Sequence, residues 1–417
     1  MNSLYIWIRL VIFTPSELNT ALYLYLMHEP LSLHIVSFNV PWPANYGGVI
    51  DVYYKLLALH DLKVKITLHC FQYEREPAPE LETICQKVYY YPRQRGVTAN
   101  LSLLPYNVYG RRSRELLSNL LTDEAPILFE GLHSCYWLDH PALSNRLLIV
   151  RPCNIEHHYY QAISRAERGL ISKAFHKIEG WKFKKYENVL KHADLIAPVS
   201  LSDADYLHQH FPEKNIAFIP CFHAHRSISS QTGVSDFILY HAKLSVAENE
   251  QAALWLIENV LKYIPYPAVI AGMNPSDQLK KVVARYPRIR LEANPDEERM
   301  QELISQAQIH LLWTDQPTGL KLKLLNSLFS GRHIVANDLM LVGTGLDSLC
   351  HIAQNAEEAQ SLCQQLMKEP FSPDELKYRE IQLSSLYSPI NQAKTLCDLI
   401  SKEARTKGKN LRTKKKA

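Results

Sequence analysis

The residues of this chain best suited to chemistry gather in a few short stretches. The densest is 318–331, Thr-Gly-Leu-Lys-Leu-Lys-Leu-Leu-Asn-Ser-Leu-Phe-Ser-Gly. Leu322, Leu325 and Phe329 recur at helical spacing, Thr318 is a helix-capping type and Gly331 a stop, so the stretch reads as a short buried helix. Gly319, Lys323 and Asn326 stand at i, i+4 and i+7 and share one face. Bare backbone at a helix start, an ammonium one turn on and an amide beyond it suit a phosphate and a sugar hydroxyl. A core helix whose lysine reaches out to solvent has the same pattern.

Other candidates follow apolar runs. Asn45-Tyr46-Gly47-Gly48 opens a helical pattern, where backbone amides can hold a phosphate or admit a sugar, or simply make a tight turn. His133 follows a strand-like run and is either a satisfied structural histidine or a group facing a cleft. Asn154 and Glu156, with His157 and His158, follow the next run and can orient hydroxyls or move protons. Gly343-Thr344-Gly345 offers amides and a hydroxyl to a phosphate, or is a turn. His208 and His210, and His223 and His225, would share a face in a strand, but no acid or cysteine lies beside them, so no metal site is expected. Six of the residues in 173–191 are lysines, set among Phe175, Trp181, Phe183 and Tyr186. That segment suits either an anionic membrane surface or a solvated helix face.

The chain has 417 residues, 47% of them hydrophobic and 21% charged, enough for two folded domains. A net charge of +4 is too small for a nucleic-acid binder. The eight cysteines form no Cys-x-x-Cys pair and fit a reducing cytoplasm, with the inner face of a membrane as a further location. Residues 1–30 read as an N-terminal extension outside the fold, too interrupted by Arg9 and Pro15 to span a bilayer. Residues 405–417 read as a basic disordered tail.

Strand-like runs over 31–40, 64–71, 87–91, 127–129, 147–150 and 195–199 alternate with helical patterns, and a second series runs over 237–241, 268–271, 288–292, 310–313 and 333–336. Such alternation predicts two α/β domains with doubly wound parallel sheets. They span 31–222 and 236–372, joined by a Ser- and His-rich linker at 223–235. Ligands of such sheets bind beyond the carboxyl ends of the strands, where all the candidates above lie, so one cleft between the domains is expected.

The ordered set of these pieces resembles the GT-B glycosyltransferases, family 4 in particular. It comprises Asn45-Tyr46-Gly47-Gly48, Tyr186-Glu187-Asn188-Val189 leading to Ala193-Asp194-Leu195-Ile196-Ala197-Pro198-Val199-Ser200, and Leu239-Tyr240-His241-Ala242-Lys243-Leu244-Ser245. Ala271-Gly272, the Lys323-Leu324-Leu325-Asn326 helix with Gly331, and Val342-Gly343-Thr344-Gly345 complete it. The resemblance covers 31–398. It implies two Rossmann-like domains and transfer of a sugar from a nucleotide-sugar donor to a sugar, glycan or glycolipid acceptor. The anomeric configuration is usually retained, and neither metal nor cofactor is needed.

Donor binding then falls to Lys243, Gly272, Thr318, Gly319, Asn326 and Gly343 to Gly345 in the C-terminal domain. His133 resembles the histidine that faces the donor sugar, and Lys323 the lysine that meets the diphosphate; these two are the catalytic candidates. Asn45 to Gly48, Asn154 and Glu156 serve the acceptor or a phosphate. Helices over 373–404 are implied to cross back onto the N-terminal domain, with Leu376, Ile381, Leu386, Leu396 and Leu399 buried. One departure stands out: Thr318 and Asn326 occupy positions where the family has two glutamates. That leaves two other readings open, an inactive GT-B-shaped subunit that binds nucleotide-sugar or glycan, and a GT-B sugar-nucleotide epimerase. The epimerase requires several cleft carboxylates, for which Glu130 and Glu156 are candidates.

Overall fold

The computed structural model describes residues 30–167, 169–316 and 321–414. The expectations for residues 1–29, Thr318 and Gly319 therefore lie outside the described residues.

The first sheet has seven parallel strands, β1 (Ser32–Ser37), β2 (Lys65–Gln72), β3 (Lys87–Pro92), β4 (Ile127–Glu130), β5 (Leu148–Arg151), β6 (Leu195–Ile196) and β7 (Asn215–Ile216), in the order β3-β2-β1-β4-β5-β6-β7. The reversal of order beside β1 is the switch point at which an open α/β sheet leaves a crevice. Leu33, Ile35 and Val36 are all but inaccessible, as a strand covered on both faces requires. Helix α1 (Gly47–Asp61) leaves β1 through the expected glycine loop. Helices α2 (Glu156–Ala166) and α3 (Leu170–Tyr186) follow β5 and pack against each other. Helix α4 (Leu201–His210) follows β6, its first turn capped by the Ser200 hydroxyl, which accepts from Asp203 N at 3.1 Å.

The second sheet has six parallel strands, β8 (Ile238–His241), β9 (Ala268–Gly272), β10 (Ile289–Ala293), β11 (Ile309–Leu312), β12 (His333–Ala336) and β13 (His351–Ile352), in the order β10-β9-β8-β11-β12-β13. Helix α5 (Ala247–Asn259) follows β8 and α6 (Leu322–Ser330) follows β11. Gly272 is dictated by packing: a Cβ there would lie 1.8 Å from Ala242 O.

Two helices close the chain. Helix α7 (Pro373–Leu386) starts in a capping box between Ser372 and Glu375. It packs on the second domain through Leu383, and Ile381 is exposed, so the crossing does not begin at 373 as expected. Helix α8 (Pro389–Lys414) makes the crossing, placing Ala393, Leu396, Cys397 and Ile400 in the core of the first domain beside Val52 and Leu56 of α1. It continues through most of the stretch read as a disordered tail, because Lys407 is held by Asp194 at 2.7 Å and by the Arg146 carbonyl.

A fully buried set of charges anchors the linker. Asp51 and Lys55 lie one turn apart on α1; Lys55 also pairs with Glu130 at 2.7 Å, and Asp51 with Arg151 at 2.8 Å. Arg151 donates to the Ile219 and Pro220 carbonyls, and Phe222 N donates to Asp51. Two acids and two bases cancel, and each has strong partners, which is the condition for burying charge. Glu130 is thus a structural ion-pair partner and not a cleft carboxylate.

Candidate active site between the two domains

The carboxyl ends of both sheets face each other across an open cleft of about 730 Å³, lined by Tyr159 and Ile163 of α2 on one side and by Val246, Glu248, Gln251 and Ser276 on the other. Deeper, a crevice of about 20 Å³ is lined by Ser200, Asp203, Lys321, Gly343 and Thr344.

On the first domain, β4 ends at Glu130 and the chain turns through Gly131, whose φ of +67° is left-handed, into the short helix that carries His133. His133 Nε2 lies 3.3 Å from a carboxylate oxygen of Glu156, which opens α2. Phe183 of α3 stands edge-on to the His133 ring at 5.4 Å and fixes its plane. Both Glu156 oxygens and Asn154 Oδ1 are buried without a hydrogen-bond donor among the described residues. Such orphan acceptors are costly unless a ligand hydroxyl satisfies them. His133 and Glu156, read separately from sequence, therefore meet, and Asn154 adds a buried unpaired acceptor two residues before Glu156. Asn45 and Tyr46 do not join it: Asn45 accepts from Arg75, and Tyr46 accepts from Asn39 at 3.1 Å. Gly47 and Gly48 start α1, and Gly48 packs under Phe38, where a Cβ would come within 2.7 Å of the ring.

Arg111 was not legible as a site residue. It is 5% exposed, its Nε donates to Phe38 O at 2.9 Å and an Nη to Asn107 O, and it has no carboxylate partner within ion-pair distance among the described residues. Burial, then repulsion from Arg93, lowers its guanidinium to about 9. Two desolvated guanidiniums beside Tyr46, Tyr160 and Glu156 make an anion-seeking corner of the first domain.

On the second domain, α6 begins at Leu322 within the described residues. Lys323 points back under the strand ends, its Nζ 3.3 Å from Asn249 Oδ1 and 3.4 Å from Trp313 O, beside the first turn of α5. Burial, opposed by Glu248, lowers the Lys323 ammonium to about 8, and burial does the same to Lys321. Lys321, at the cap position of α6, is a second cleft cation that was not singled out from sequence. Asn326 turns away from the cleft: its Oδ1 is 2.9 Å from His225 Nε2 of the linker, so the expected shared face with Lys323 is split between two partners. Lys243 is exposed on the loop after β8.

The Gly343-Thr344-Gly345 loop is a domain contact. Leu201 N donates to Gly343 O at 2.9 Å, the Thr344 hydroxyl bonds within its own turn to Leu341 O, and Tyr387 donates to Thr344 O. The Thr344 hydroxyl is thus spent locally, while the loop still lines the deep crevice with Lys321. The histidine pairs do not converge either. His208 and His210 lie on α4, where residues two apart diverge, and His223 bonds Tyr387 O. Three ligand-type side chains do gather elsewhere, His333, His351 and Glu375, but they lie at the amino edge of the second sheet, away from the cleft, and hold α7 to it.

No family profile matches the sequence. The chain is 26% identical over 339 residues, 75% of its length and 84% of the other's, to an uncharacterized 44.6 kDa protein in the cps region of Klebsiella pneumoniae. Among solved structures it is similar to sucrose-phosphate synthase from Thermosynechococcus elongatus, with TM-score 0.63, 14% identity, and 89% of this chain and 98% of that one covered. The fold is GT-B. Anabaena HepE, solved with UDP and glucose, aligns with TM-score 0.61 and 10% identity over 89% of this chain and all of that one. A UDP-forming trehalose-phosphate synthase from Burkholderia xenovorans, solved with glucose-6-phosphate, gives 0.59, 10%, 89% and 100%. At these identities the GT-B likeness concerns architecture; the chemistry rests on the cleft residues.

Proposed function

We propose that this chain is a glycosyltransferase of the family 4 type. It takes a sugar from a nucleotide-sugar donor held on the second domain and passes it to an acceptor held on the first, with retention and without a metal. The observation that carries this reading is the opposition of two half-sites across one cleft. A desolvated Lys323 ammonium sits at the first turn of α5, and the His133–Glu156 pair with its orphan acceptors sits at the strand ends of the other sheet. A buried ammonium beside a helix N-terminus favours a diphosphate, and favours it more as charge develops on the leaving group. The orphan oxygens of Glu156 and Asn154 accept sugar hydroxyls, and His133, 3.3 Å from Glu156, faces the same sugar. The Arg111 corner suits an acceptor, glycan or glycolipid, that carries an anionic group. GT-B neighbours solved with UDP and glucose and with glucose-6-phosphate support a nucleotide-sugar donor and a sugar acceptor.

The second reading is a binding subunit without turnover. It is favoured by Asn326, which stands where the family has a glutamate and is occupied by His225. An epimerase would draw on Glu156, Asp203 and Glu248 as cleft carboxylates. Incubation with a panel of nucleotide-sugars and no acceptor separates the three. Released sugar and nucleotide support transfer. Binding without release supports the subunit, and an altered sugar still on its nucleotide supports the epimerase.

A further inference from the structure

Helix α3 has two faces with different tasks. Its inner face walls the His133 pocket: Phe183 packs on His133 and Tyr160, and buried Glu179 accepts from Tyr106 N at 2.7 Å and pairs with Lys182. Its outer face is apolar yet faces solvent. Ile171, Phe175, Ile178 and Trp181 recur at intervals of four, three and three residues, so they form one stripe. Ile171 is 89% exposed, Ile178 54% and Trp181 53%. Lys182 extends the patch by donating to Asn100 O at 3.2 Å, which brings exposed Leu101 and Leu103 alongside. Single exposed apolar residues need no explanation, but a contiguous stripe of large ones does.

Charge decides what covers it. The helix carries five lysines and one acid, and the acid, Glu179, is buried and paired. Lys173, Lys177, Lys184 and Lys185 are exposed along the flank of the stripe, and Lys185 Nζ sits 3.8 Å from the Trp181 ring centre. Apolar stripe, interfacial tryptophan and flanking lysines form the pattern of a helix lying in a headgroup layer. No described helix is long and apolar enough to cross a membrane. We propose that the outer face of α3, with Leu101 and Leu103, docks on the surface of an anionic lipid bilayer. A second protein would be expected to meet such a stripe with matched acids, whereas a bilayer supplies both an apolar layer and a diffuse negative charge. The docking stands apart from the glycosyltransferase reading. If both hold, the pocket behind α3 opens beside the lipid headgroups.

The test is sedimentation with vesicles of phosphatidylcholine containing a third phosphatidylglycerol, against phosphatidylcholine alone, with no substrate present. The expected result is partition to the anionic vesicles, lost at high salt, with a blue shift of Trp181 emission. Each exposed lysine changed to Gln should lower the partition coefficient about fivefold, the equivalent of ~1 kcal/mol. The exposed pair Ile178→Gln and Trp181→Gln should lower it about tenfold or more. Thermal melts verify that both variant sets fold, since every altered side chain is exposed. No partition at low salt, or partition unchanged by both variant sets, overturns the proposal. So does a vesicle-free dimer, seen by ultracentrifugation, that the same changes dissociate, because the stripe is then a contact between copies. UDP binding measured in parallel bears on the proposed function alone.

Discussion

Replacing Lys323 with Met keeps the aliphatic stem and removes the charge, and it should move stability and activity in opposite directions. Burial holds the ammonium at about 8 where an exposed lysine titrates near 10.5. That difference corresponds to about 3 kcal/mol of destabilisation of the charged, ligand-free protein at pH 7. The variant also loses the long bonds to Asn249 and Trp313, of order 1 kcal/mol together. A net gain of about 1–2 kcal/mol remains, which for a protein of this size is a rise in Tm of a few degrees. The sign has a pH signature. A depressed lysine recovers its stability as pH rises from the folded value toward 10.5, so the Met advantage should be full below pH 8 and vanish by about 10.5. Turnover with any donor the wild type uses should fall about a hundredfold, the scale of one lost electrostatic contact to a leaving group. The assays are thermal melts across pH and nucleotide release. A variant that melts lower than wild type at pH 7, or that turns over normally, refutes the placement of Lys323 as a strained cation awaiting a diphosphate.

Other outcomes follow from the same geometry. Lys321 and Lys323 are cationic below pH 8 and lose the proton above it, so UDP affinity measured by calorimetry should fall about fivefold between pH 8 and 9 for each ammonium that carries the contact; a flat profile argues against either as a phosphate ligand. If His133 faces the sugar as proposed, His133→Ala should lower turnover at least tenfold while leaving UDP affinity within about twofold; equal losses in both would move it to the nucleotide. Arg111→Met should weaken acceptors that bear an anionic group about tenfold or more and leave neutral ones unaffected, and a uniform loss would make Arg111 merely structural. His223 and His241 are held neutral by burial at about 4 and about 3, so their contribution is complete above pH 6.5 and is lost as pH falls toward 4. Each costs about 3 kcal/mol by pH 4, and a Tm that stays constant from pH 7 to 4 would contradict their burial.

The alternation of apolar runs and helical patterns made both sheets legible, because a parallel strand buried on both faces has no polar alternation to confuse it. Strands β7 and β13 went unseen: two residues carry no period. The glycine loop before α1 was legible from residue type and spacing, whereas the return of α8 came only with the family resemblance. The tail was misread because its lysines look like a solvated run, and only the fold shows Asp194 waiting for Lys407. The site was legible in part. His133, Asn154 and Glu156 each follow a strand end, where chemistry gathers, whereas Arg111 lies on a short irregular segment with no pattern to mark it. Asp51 and Lys55 did leave a signal, two charges one turn apart on the face that also carries Val52, Leu56 and Leu59, which is the mark of a buried pair. Asn326 looked free for a ligand because sequence cannot show that the linker would come back to meet it.

That linker and the turn before α8 have a mechanical meaning. The chain passes between the domains twice, once after Phe222 and once after Tyr387, and the two passages are fastened together where His223 Nε2 meets Tyr387 O at 2.8 Å. A body suspended by one strand can swivel in any direction, but one suspended by two adjoining strands swings like a door on a common pin. Two adjoining connections fastened to each other place the hinge of this cleft at the His223–Tyr387 contact. The Gly343 loop, which rests on α4 and whose Thr344 carbonyl accepts from Tyr387 at 2.8 Å, lies beside the pin and so shifts least, whereas the lips of the cleft at Ile163 and Gln251 lie farther out.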